Sequence, residues 1–290
     1  RFRDAMTVSV IIPTFNRAHL LAETIDSILK QTFGDFELIV VDNCSSDNTE
    51  GVVKAHTDKR IRYFIHQNNG VIAVNRNYGI SKAHGQYIAF CDDDDLWMPE
   101  KLERQLQEFQ KDEHLGLVCS NVINIDRHSN YVGMSGIKSR DKNFTFEGLL
   151  QNNSIACSSV LVKMEVLDDV GIMDESPELF TTEDYELWLR VAKRYKIKCI
   201  DLPLIKYRVH IDANRNGKPY IESLRLHKYV CKILLDKAVI DTQLNKKTVT
   251  RINQQIWGLN LLTRLGIIKP LERLARSIRQ KVSISASEHL

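Results

Sequence analysis

The first 111 residues alternate strand-like and helix-like segments, and this alternation constrains the fold more than any other feature. Compact apolar runs cover Val8–Phe15, Glu37–Val41, Arg60–Ile65 and Gln86–Cys91. Between and after them, apolar residues recur at helical spacing as far as Lys111. Strands that alternate with helices in this way form parallel βαβ units whose sheet is covered on both faces. The sequence therefore predicts an α/β fold with a mainly parallel central sheet.

The pattern is looser beyond Asp112, although strands and helices can still be predicted. Strands are expected at Leu117–Ile125 and Ser158–Val162, and an amphipathic helix at Glu183–Tyr195. The chain from Tyr220 onwards has a helical pattern. We therefore expect the α/β region to be followed by a C-terminal helical segment.

Composition is that of an ordinary globular protein, with 43% hydrophobic and 27% charged residues. No segment approaches the roughly 20 continuous apolar residues that cross a bilayer, and the N-terminal residues lack the apolar core and cleavage site of a signal peptide. The six cysteines are scattered without a CxxC pair, as in proteins kept reduced. The expected location is the cytoplasm.

Positive charge is concentrated near the C-terminus. From Ile221 to Leu290 the chain carries 13 Lys or Arg against 5 Asp or Glu, a net +8, whereas the whole chain carries +3. Such a segment attracts anionic partners, and residues 269–282 pair apolar side chains with arginines, as an interfacial helix does. Peripheral association with the inner face of the cell membrane is one interpretation. Packing against the α/β region, or against a second subunit in a homo-oligomer, is the other.

Four consecutive aspartates, Asp92 to Asp95, follow the fourth predicted strand. Adjacent like charges repel by about 1 kcal/mol or more per close pair, so a divalent cation or a ring of donors would best stabilise the cluster. Carboxylate oxygens suit Mg²⁺ or Mn²⁺, which commonly bridge a protein to nucleotide phosphates. The alternative is a solvated acidic turn that caps the next helix. Polar clusters also lie at the ends of the first two strands, at Pro13–Asn16 and Asp42–Asn43, and ligands of parallel sheets bind at such strand ends.

Three blocks of this sequence resemble the family 2 glycosyltransferases of the GT-A fold. They are VSVIIPTFNRAHLLAETIDSILKQTFGDFELIVVDNCSSDNT, NRNYGISKAHGQYIAFCDDDDLWMPEKLERQ and TEDYELWLR, in the order and at the separations that the family shows. The resemblance implies a Rossmann-like GT-A fold and inverting transfer of a sugar from a nucleotide donor. It also implies a nucleotide-sugar-binding half (6–125), an acceptor-binding half that carries the catalytic base (126–212) and a helical C-terminal extension (213–290).

The resemblance assigns the donor site to the first two blocks. Asp42 matches the position whose carboxylate accepts from the imide N–H of a uridine-type base. Thr14 and Phe15 match the loop beside that base, and Arg76 matches an arginine near the donor phosphates. The residue before it is Asn75, where the family often has alanine. UDP is the expected nucleotide, and dTDP, which shares the imide edge, is the alternative.

The aspartate run matches the acidic motif of the family, with Asp92, Asp94 and Asp95 on its acidic positions. Asp94 is the expected ligand of Mn²⁺ or Mg²⁺, Asp93 would contact the ribose or the metal, and Asp92 would support them. Because the four acids are consecutive, the alignment of the run with the family motif can shift by one residue. His210, in a Tyr-Arg-x-His string that also recurs in the family, would complete the metal shell or touch the diphosphate. A loop histidine without a special role is the alternative.

Asp184, in the third block, matches the catalytic base. Inverting transfer needs a group that takes the proton from the acceptor hydroxyl as it attacks. Glu183 lies beside it, and both begin a predicted helix, where the macrodipole also favours acids that have no chemical role.

The sequence is also compared with what two other functions would require. A sugar nucleotidyltransferase would normally carry a glycine-rich phosphate loop after the first strand, where this chain has PTFNRAH. A degenerate GT-A-like binding module would have lost the acidic run or Asp184, and both are present. The favoured function is transfer to a hydroxyl of a glycan or lipid-linked acceptor in bacterial surface polysaccharide synthesis, which is an analogy at the level of the family. A nucleic-acid partner is not expected.

Overall fold

Residues 7–135, 143–151, 153–209 and 218–264 are described by this computed structural model. Their contacts separate into two units, Arg1–Val209 and His210–Leu290. The strands of the first unit are β1 (Val8–Thr14), β2 (Phe36–Asp42), β3 (Ile61–Ile65), β4 (Tyr87–Phe90), β5 (Leu96–Trp97), β6 (Leu115–Ile125), β7 (Tyr131–Ser135), β8 (Asn143–Phe144), β9 (Leu161–Lys163) and β10 (Lys196–Arg208). Its helices are α1 (Ala18–Leu29), α2 (Thr49–Ala55), α3 (Ile72–Lys82), α4 (Lys101–Lys111), α5 (Phe146–Gln151), α6 (Met164–Val170) and α7 (Glu183–Arg194).

The strands form one mixed sheet in the order β3-β2-β1-β4-β9-β6-β10-β5, with β7 paired to β6 and β8 paired to β10. Neighbours among β3, β2, β1 and β4 are parallel. β9 is antiparallel to both β4 and β6, and β10 is parallel to β6. The predicted α/β fold is therefore confirmed, and the all-parallel group of β3, β2, β1 and β4 is the half that alternates regularly with helices.

β1 and β2 are buried along their whole length. Helices cover both faces of such strands, which explains why their sequences are continuous apolar runs rather than alternating ones. α1 contributes Leu21, Ile25 and Ile28 to the core, each fully buried. This rigid half of the sheet supports the loops that leave the ends of its strands.

One glycine sets the distance between α3 and the sheet. A Cβ at Gly79 would lie 2.5 Å from Cγ2 of Ile11 on β1, closer than carbon atoms can approach. The glycine therefore lets α3 pack directly on β1, and Arg76 of the same helix reaches Asp92, which follows β4.

Two predicted elements differ from the structure. The strand expected at Ser158–Val162 is a 3₁₀ turn at Cys157–Ser159 followed by the short β9. The Oγ of Ser158 accepts a hydrogen bond from the N–H of Asp92, so this segment supports the aspartate run instead of extending the sheet. The predicted C-terminal helical segment is interrupted, because Ala238 has a φ of 56° between two helices.

The second unit contains α8 (Lys218–Asp236) and α9 (Thr242–Arg264). Val230, Cys231 and Leu234 of α8 and Ile252 of α9 are fully buried. Within the ranges that the structure describes, each helix is too short or too polar to span a bilayer. The interfacial pattern predicted at residues 269–282 lies outside those ranges.

Candidate active site

The candidate site lies where the parallel strands β1, β2 and β4 end. Thr14 and Asp42 are the last residues of β1 and β2 and are register partners. The aspartate run follows β4, and α7 begins with Glu183 and Asp184. These strand ends meet at one edge of the sheet, which is where open α/β sheets bind ligands.

Asp42 is fixed by three donors. Its Oδ1 accepts from the backbone N–H of Ser45 at 3.0 Å and from the hydroxyl of Ser45 at 2.5 Å. Its Oδ2 accepts from the hydroxyl of Tyr63 at 2.6 Å. Only 2% of Asp42 is exposed, whereas 51% of the neighbouring Phe15 is exposed. A held carboxylate beside an accessible aromatic ring can recognise a flat heterocycle that carries an N–H group.

Asp93 and Asp94 converge on one guanidinium. Nη1 of Arg17 lies 3.0 Å from Oδ1 of Asp93 and 2.7 Å from Oδ2 of Asp94. The hydroxyl of Thr14 donates to the other oxygen of Asp93 at 2.8 Å. Burial raises the pKa of Asp93 to about 6, against the opposing effect of Arg17. The site therefore balances the charge of its acids with a positive side chain.

Asp95 points away from these two acids and into the protein. It is fully buried, and its Oδ1 accepts from the backbone N–H of Arg208 at 2.8 Å. Nε of Arg208 donates to the carbonyl of Asp94 at 2.9 Å, and its Nη1 donates to the carbonyl of Asp126 and the hydroxyl of Ser129. Arg208 thus connects the aspartate run to the loop between β6 and β7.

Arg76 joins the aspartate run to α7. It is 3% exposed, and it donates from Nη2 to Oδ1 of Asp92 at 2.7 Å and from Nη1 to Oε1 of Glu183 at 2.5 Å. Because this guanidinium is held between two carboxylates, the geometry of the strand end and that of the helix start are coupled.

The surroundings of Asp184 raise the pKa of its carboxyl group. Burial, and next the charge of Glu183, raise its pKa from 3.8 to about 7, while Arg76 opposes the shift. Its Oδ1 accepts from the backbone N–H of Tyr185 at 2.6 Å. A carboxyl group with a pKa near the working pH accepts a proton efficiently.

The donor set at Asp93 and Asp94 suits a hard divalent cation. Two carboxylate oxygens already converge on one positively charged nitrogen, and Mg²⁺ commonly uses one or two carboxylates together with phosphate oxygens of a substrate. Across the parts of the chain that the structure describes, no group of three His, Cys, Asp or Glu residues could hold an ion unaided. These two carboxylates would therefore need oxygens from a ligand. His210 lies outside the described residues.

Sequence reasoning missed Arg17 and Arg208. Arg17 lies in PTFNRAH, the segment that lacks a glycine, and Arg208 lies in the Tyr-Arg-x-His string, two positions before His210. A signal was available in principle, because four adjacent acids need positive partners and these arginines lie within two of the conspicuous motifs.

Comparison with known proteins identifies the family. The model of "Glycosyl transferase family 2" matches residues 9–171. A glucosyltransferase of Escherichia coli, the UDP-Glc:alpha-D-GlcNAc-diphosphoundecaprenol beta-1,3-glucosyltransferase WfgD, is 34% identical over 217 residues, which are 74% of this chain and 82% of the relative. The putative teichuronic acid biosynthesis glycosyltransferase TuaG of Bacillus subtilis is 29% identical over 189 residues, 64% of this chain and 72% of the relative.

Solved structures share the fold. S. aureus TarS 1–349 in complex with UDP-GlcNAc superposes with a TM-score of 0.64 at 20% identity and covers 85% of this chain and 71% of its own. The mannosyltransferase PcManGT of Pyrobaculum calidifontis, solved with GDP-Man and Mn²⁺, gives a TM-score of 0.58 at 19% identity over 97% of this chain and 79% of its own. These matches confirm the expected GT-A fold. The chain belongs to glycosyl transferase family 2 and is a glycosyltransferase.

Proposed function

We propose that this enzyme transfers a sugar, with inversion and with the help of a divalent cation, from a UDP-sugar to a hydroxyl of a lipid-linked glycan. The observation that carries the proposal is the place of Asp184, in the first turn of α7 and near enough to Asp92 of the aspartate run to be affected by its charge. Glu183, its neighbour, shares Arg76 with Asp92 of the aspartate run. The proposed base and the proposed diphosphate site are thus connected through one side chain.

The surroundings of Asp42 support a uracil-type base. Ser45 and Tyr63 orient the carboxylate, and a carboxylate has about four acceptor positions, so capacity remains for one more donor. The imide N–H of uracil is such a donor, and exposed Phe15 offers a face on which the ring can stack. The same argument admits dTDP, whose base has the same imide edge. The UDP-GlcNAc complex of TarS supports UDP as the first choice.

The reaction follows from these positions. Asp184 takes the proton of the acceptor hydroxyl while that oxygen attacks the anomeric carbon from the side opposite the nucleotide. The bond between the anomeric carbon and the diphosphate oxygen breaks, and the diphosphate leaves with the electron pair. A Mg²⁺ or Mn²⁺ held by Asp94 and Asp93 would act as a Lewis acid toward the leaving diphosphate. Displacement from the opposite face inverts the anomeric configuration.

The acceptor is assigned by its chemistry and by relatives. The E. coli relative acts on a diphosphoundecaprenol-linked sugar, and the B. subtilis relative is named for teichuronic acid biosynthesis. Phe180, four residues before Asp184, is 60% exposed and offers an apolar surface on which a sugar ring can pack. We therefore assign this enzyme to the synthesis of bacterial surface polysaccharide, with a lipid-linked glycan as acceptor.

Two features of the second unit support association of the enzyme with the inner face of the membrane. Arg225, Lys228 and Lys232 line a cleft of about 400 Å³ between α8 and α9, and Trp257 on α9 is 69% exposed. Basic side chains near an anionic leaflet gain about 1 kcal/mol each, and tryptophan favours the interface between lipid and water. This surface would hold the enzyme where its lipid-linked acceptor is found.

A product analysis tests the proposed function. The full-length enzyme would be incubated with Mn²⁺, a lipid-linked N-acetylglucosamine diphosphate and, in turn, UDP-glucose, UDP-GlcNAc and dTDP-glucose. We expect nucleotide release that depends on the acceptor, and NMR should find the anomeric configuration of the new bond inverted. Asp184→Asn should lower turnover by about 10³-fold or more while nucleotide binding stays near that of the wild type.

Asp168→Asn is a matched control, because Asp168 lies on α6 outside the site. Retention of configuration, or near-normal turnover in Asp184→Asn, would contradict the assigned mechanism.

A further inference from the structure

The ion pair at Asp93 and Asp94 has an unusual feature. One nitrogen, Nη1 of Arg17, serves both carboxylates. The acid side chains are 8% exposed, whereas 43% of the arginine side chain is exposed. A half-exposed cation thus occupies the position between two nearly buried carboxylates where a divalent ion would bind.

We propose that Arg17 is the counter-cation of Asp93 and Asp94 in the nucleotide-free enzyme, and that the divalent ion must displace it. This inference rests on the proposed function, since it assumes that these acids hold the metal. Two cations cannot share the same pair of oxygens, because they would repel each other at close range. Binding of the ion and the ion pair of Arg17 therefore exclude each other.

The contacts show which partner can move. The hydroxyl of Thr14 holds Asp93 in place. The backbone of Arg17 is fixed as well, since its carbonyl accepts from the N–H groups of Leu20 and Leu21 at 3.0 Å. The long side chain of Arg17, 43% of which is exposed, is the partner that can rotate away from the acids. Displacement thus costs the two ion pairs of one partly exposed guanidinium and leaves the fold unchanged.

The released guanidinium has a new partner in the complex. Arg17 follows Phe15 and Asn16 in the loop after β1, which borders the proposed nucleotide site. A guanidinium beside a diphosphate forms charge-assisted hydrogen bonds. The divalent ion then balances the acids, and Arg17 balances the phosphates. As a consequence, the free enzyme binds the ion weakly, and the ion enters together with the nucleotide.

The binding of Mn²⁺ without nucleotide tests this exchange. Free Mn²⁺ would be measured by electron paramagnetic resonance during titration of the full-length wild type, Arg17→Gln and Arg60→Gln. Arg60 is a matched control, because it pairs with Asp58 outside the site. Arg17→Gln should bind Mn²⁺ at least about fivefold more tightly than the wild type, since a competing ion pair of about 1 kcal/mol is lost. Arg60→Gln should equal the wild type. Equal or weaker Mn²⁺ binding by folded Arg17→Gln would overturn the proposal.

Calorimetric titration of UDP at saturating Mn²⁺ separates this proposal from the proposed function. We expect Arg17→Gln to bind UDP about tenfold more weakly, because one charge-assisted contact to phosphate is worth roughly 1.4 kcal/mol. The same variant thus gains affinity for the ion and loses affinity for the nucleotide, which general damage to the site would not produce. Unchanged UDP affinity would overturn the inference that the displaced Arg17 side chain contacts the phosphates. If the wild type bound no UDP, the proposed function would fail. The Mn²⁺ titration would still decide whether the ion displaces Arg17 from the two aspartates.

Discussion

Arg76 and Glu183 form a buried ion pair, with 2.5 Å between Nη1 and Oε1, although 107 positions separate them in the sequence. The pair connects α3, which packs on the sheet, with the first turn of α7. Asp184 follows Glu183 directly, so the position of the proposed base depends on a side chain that also holds Asp92.

Replacing Arg76 should therefore affect both stability and the base. Arg76→Gln would leave Glu183 buried without its positive partner, which typically costs about 3 kcal/mol or more. It would also remove the positive charge that opposes the raised pKa of Asp184, so the pKa of Asp184 should rise further. Urea denaturation would measure the first effect, and the pH dependence of kcat/KM the second. Arg76→Lys keeps the positive charge, so its loss of stability and its shift in the pKa of Asp184 should both be smaller. A stable Arg76→Gln with an unchanged pH profile would contradict the coupling.

The activity should depend on pH through Asp184. Because the base must be ionised, kcat/KM should rise with pH to a plateau, with a midpoint near the pKa of about 7.

The same shift predicts an effect on stability. Between the ordinary pKa of 3.8 and about 7, the folded state binds more protons at Asp184 than the unfolded state, so stability should fall as pH rises through this window. Asp184→Asn removes the effect. Its Tm should exceed that of the wild type at pH 8, and the difference should vanish near pH 4. If the Tm of Asp184→Asn differed from that of the wild type by the same amount at pH 4 and at pH 8, a raised pKa at this residue would be contradicted.

Arg208 should stabilise the aspartate run and the loop after β6 together. Arg208→Lys keeps the charge, but one ammonium cannot reproduce the donors that reach the carbonyls of Asp94 and Asp126 and the hydroxyl of Ser129. We expect a loss of about 1–3 kcal/mol in the free energy of unfolding and weaker UDP binding. Arg127→Lys, in the same loop, should change stability by less than about 0.5 kcal/mol. Equal effects of the two variants would contradict this role.

The basic cleft of the second unit predicts binding to anionic vesicles. Replacing both Arg225 and Lys232 with Glu should weaken the affinity for phosphatidylglycerol vesicles at least tenfold, because each basic residue contributes about 1 kcal/mol. Co-sedimentation with the vesicles would measure this affinity. Binding to neutral phosphatidylcholine vesicles should be weak for every variant. Reversal of the exposed Lys54 and Lys59 changes the net charge equally and should leave binding intact. A similar loss in both double variants would indicate a dependence on net charge alone.

The sequence predicts the parallel half of the fold well because each of its strands is a short apolar run next to its own helix. β1, β2 and β3 were predicted to within two residues of their observed ends. The second half depends on pairings between distant segments, such as β6 with β10 and β9 with β4, and local patterns carry little information about them. The site follows the same rule. Acidic residues stand out as motifs, whereas Arg17 and Arg208 become visible only when folding brings them to the acids.

Calorimetric titration of UDP, dTDP, GDP and CMP, each with Mn²⁺ or with EDTA, tests the central claim most directly. We predict binding of UDP or dTDP that requires Mn²⁺ and is lost in Asp94→Ala. Asp112→Ala is the matched control, since that carboxylate pairs with Lys196 at an exposed position, and this variant should bind like the wild type. Binding of GDP alone, or UDP binding that persists both in EDTA and in Asp94→Ala, would contradict the account of the donor site.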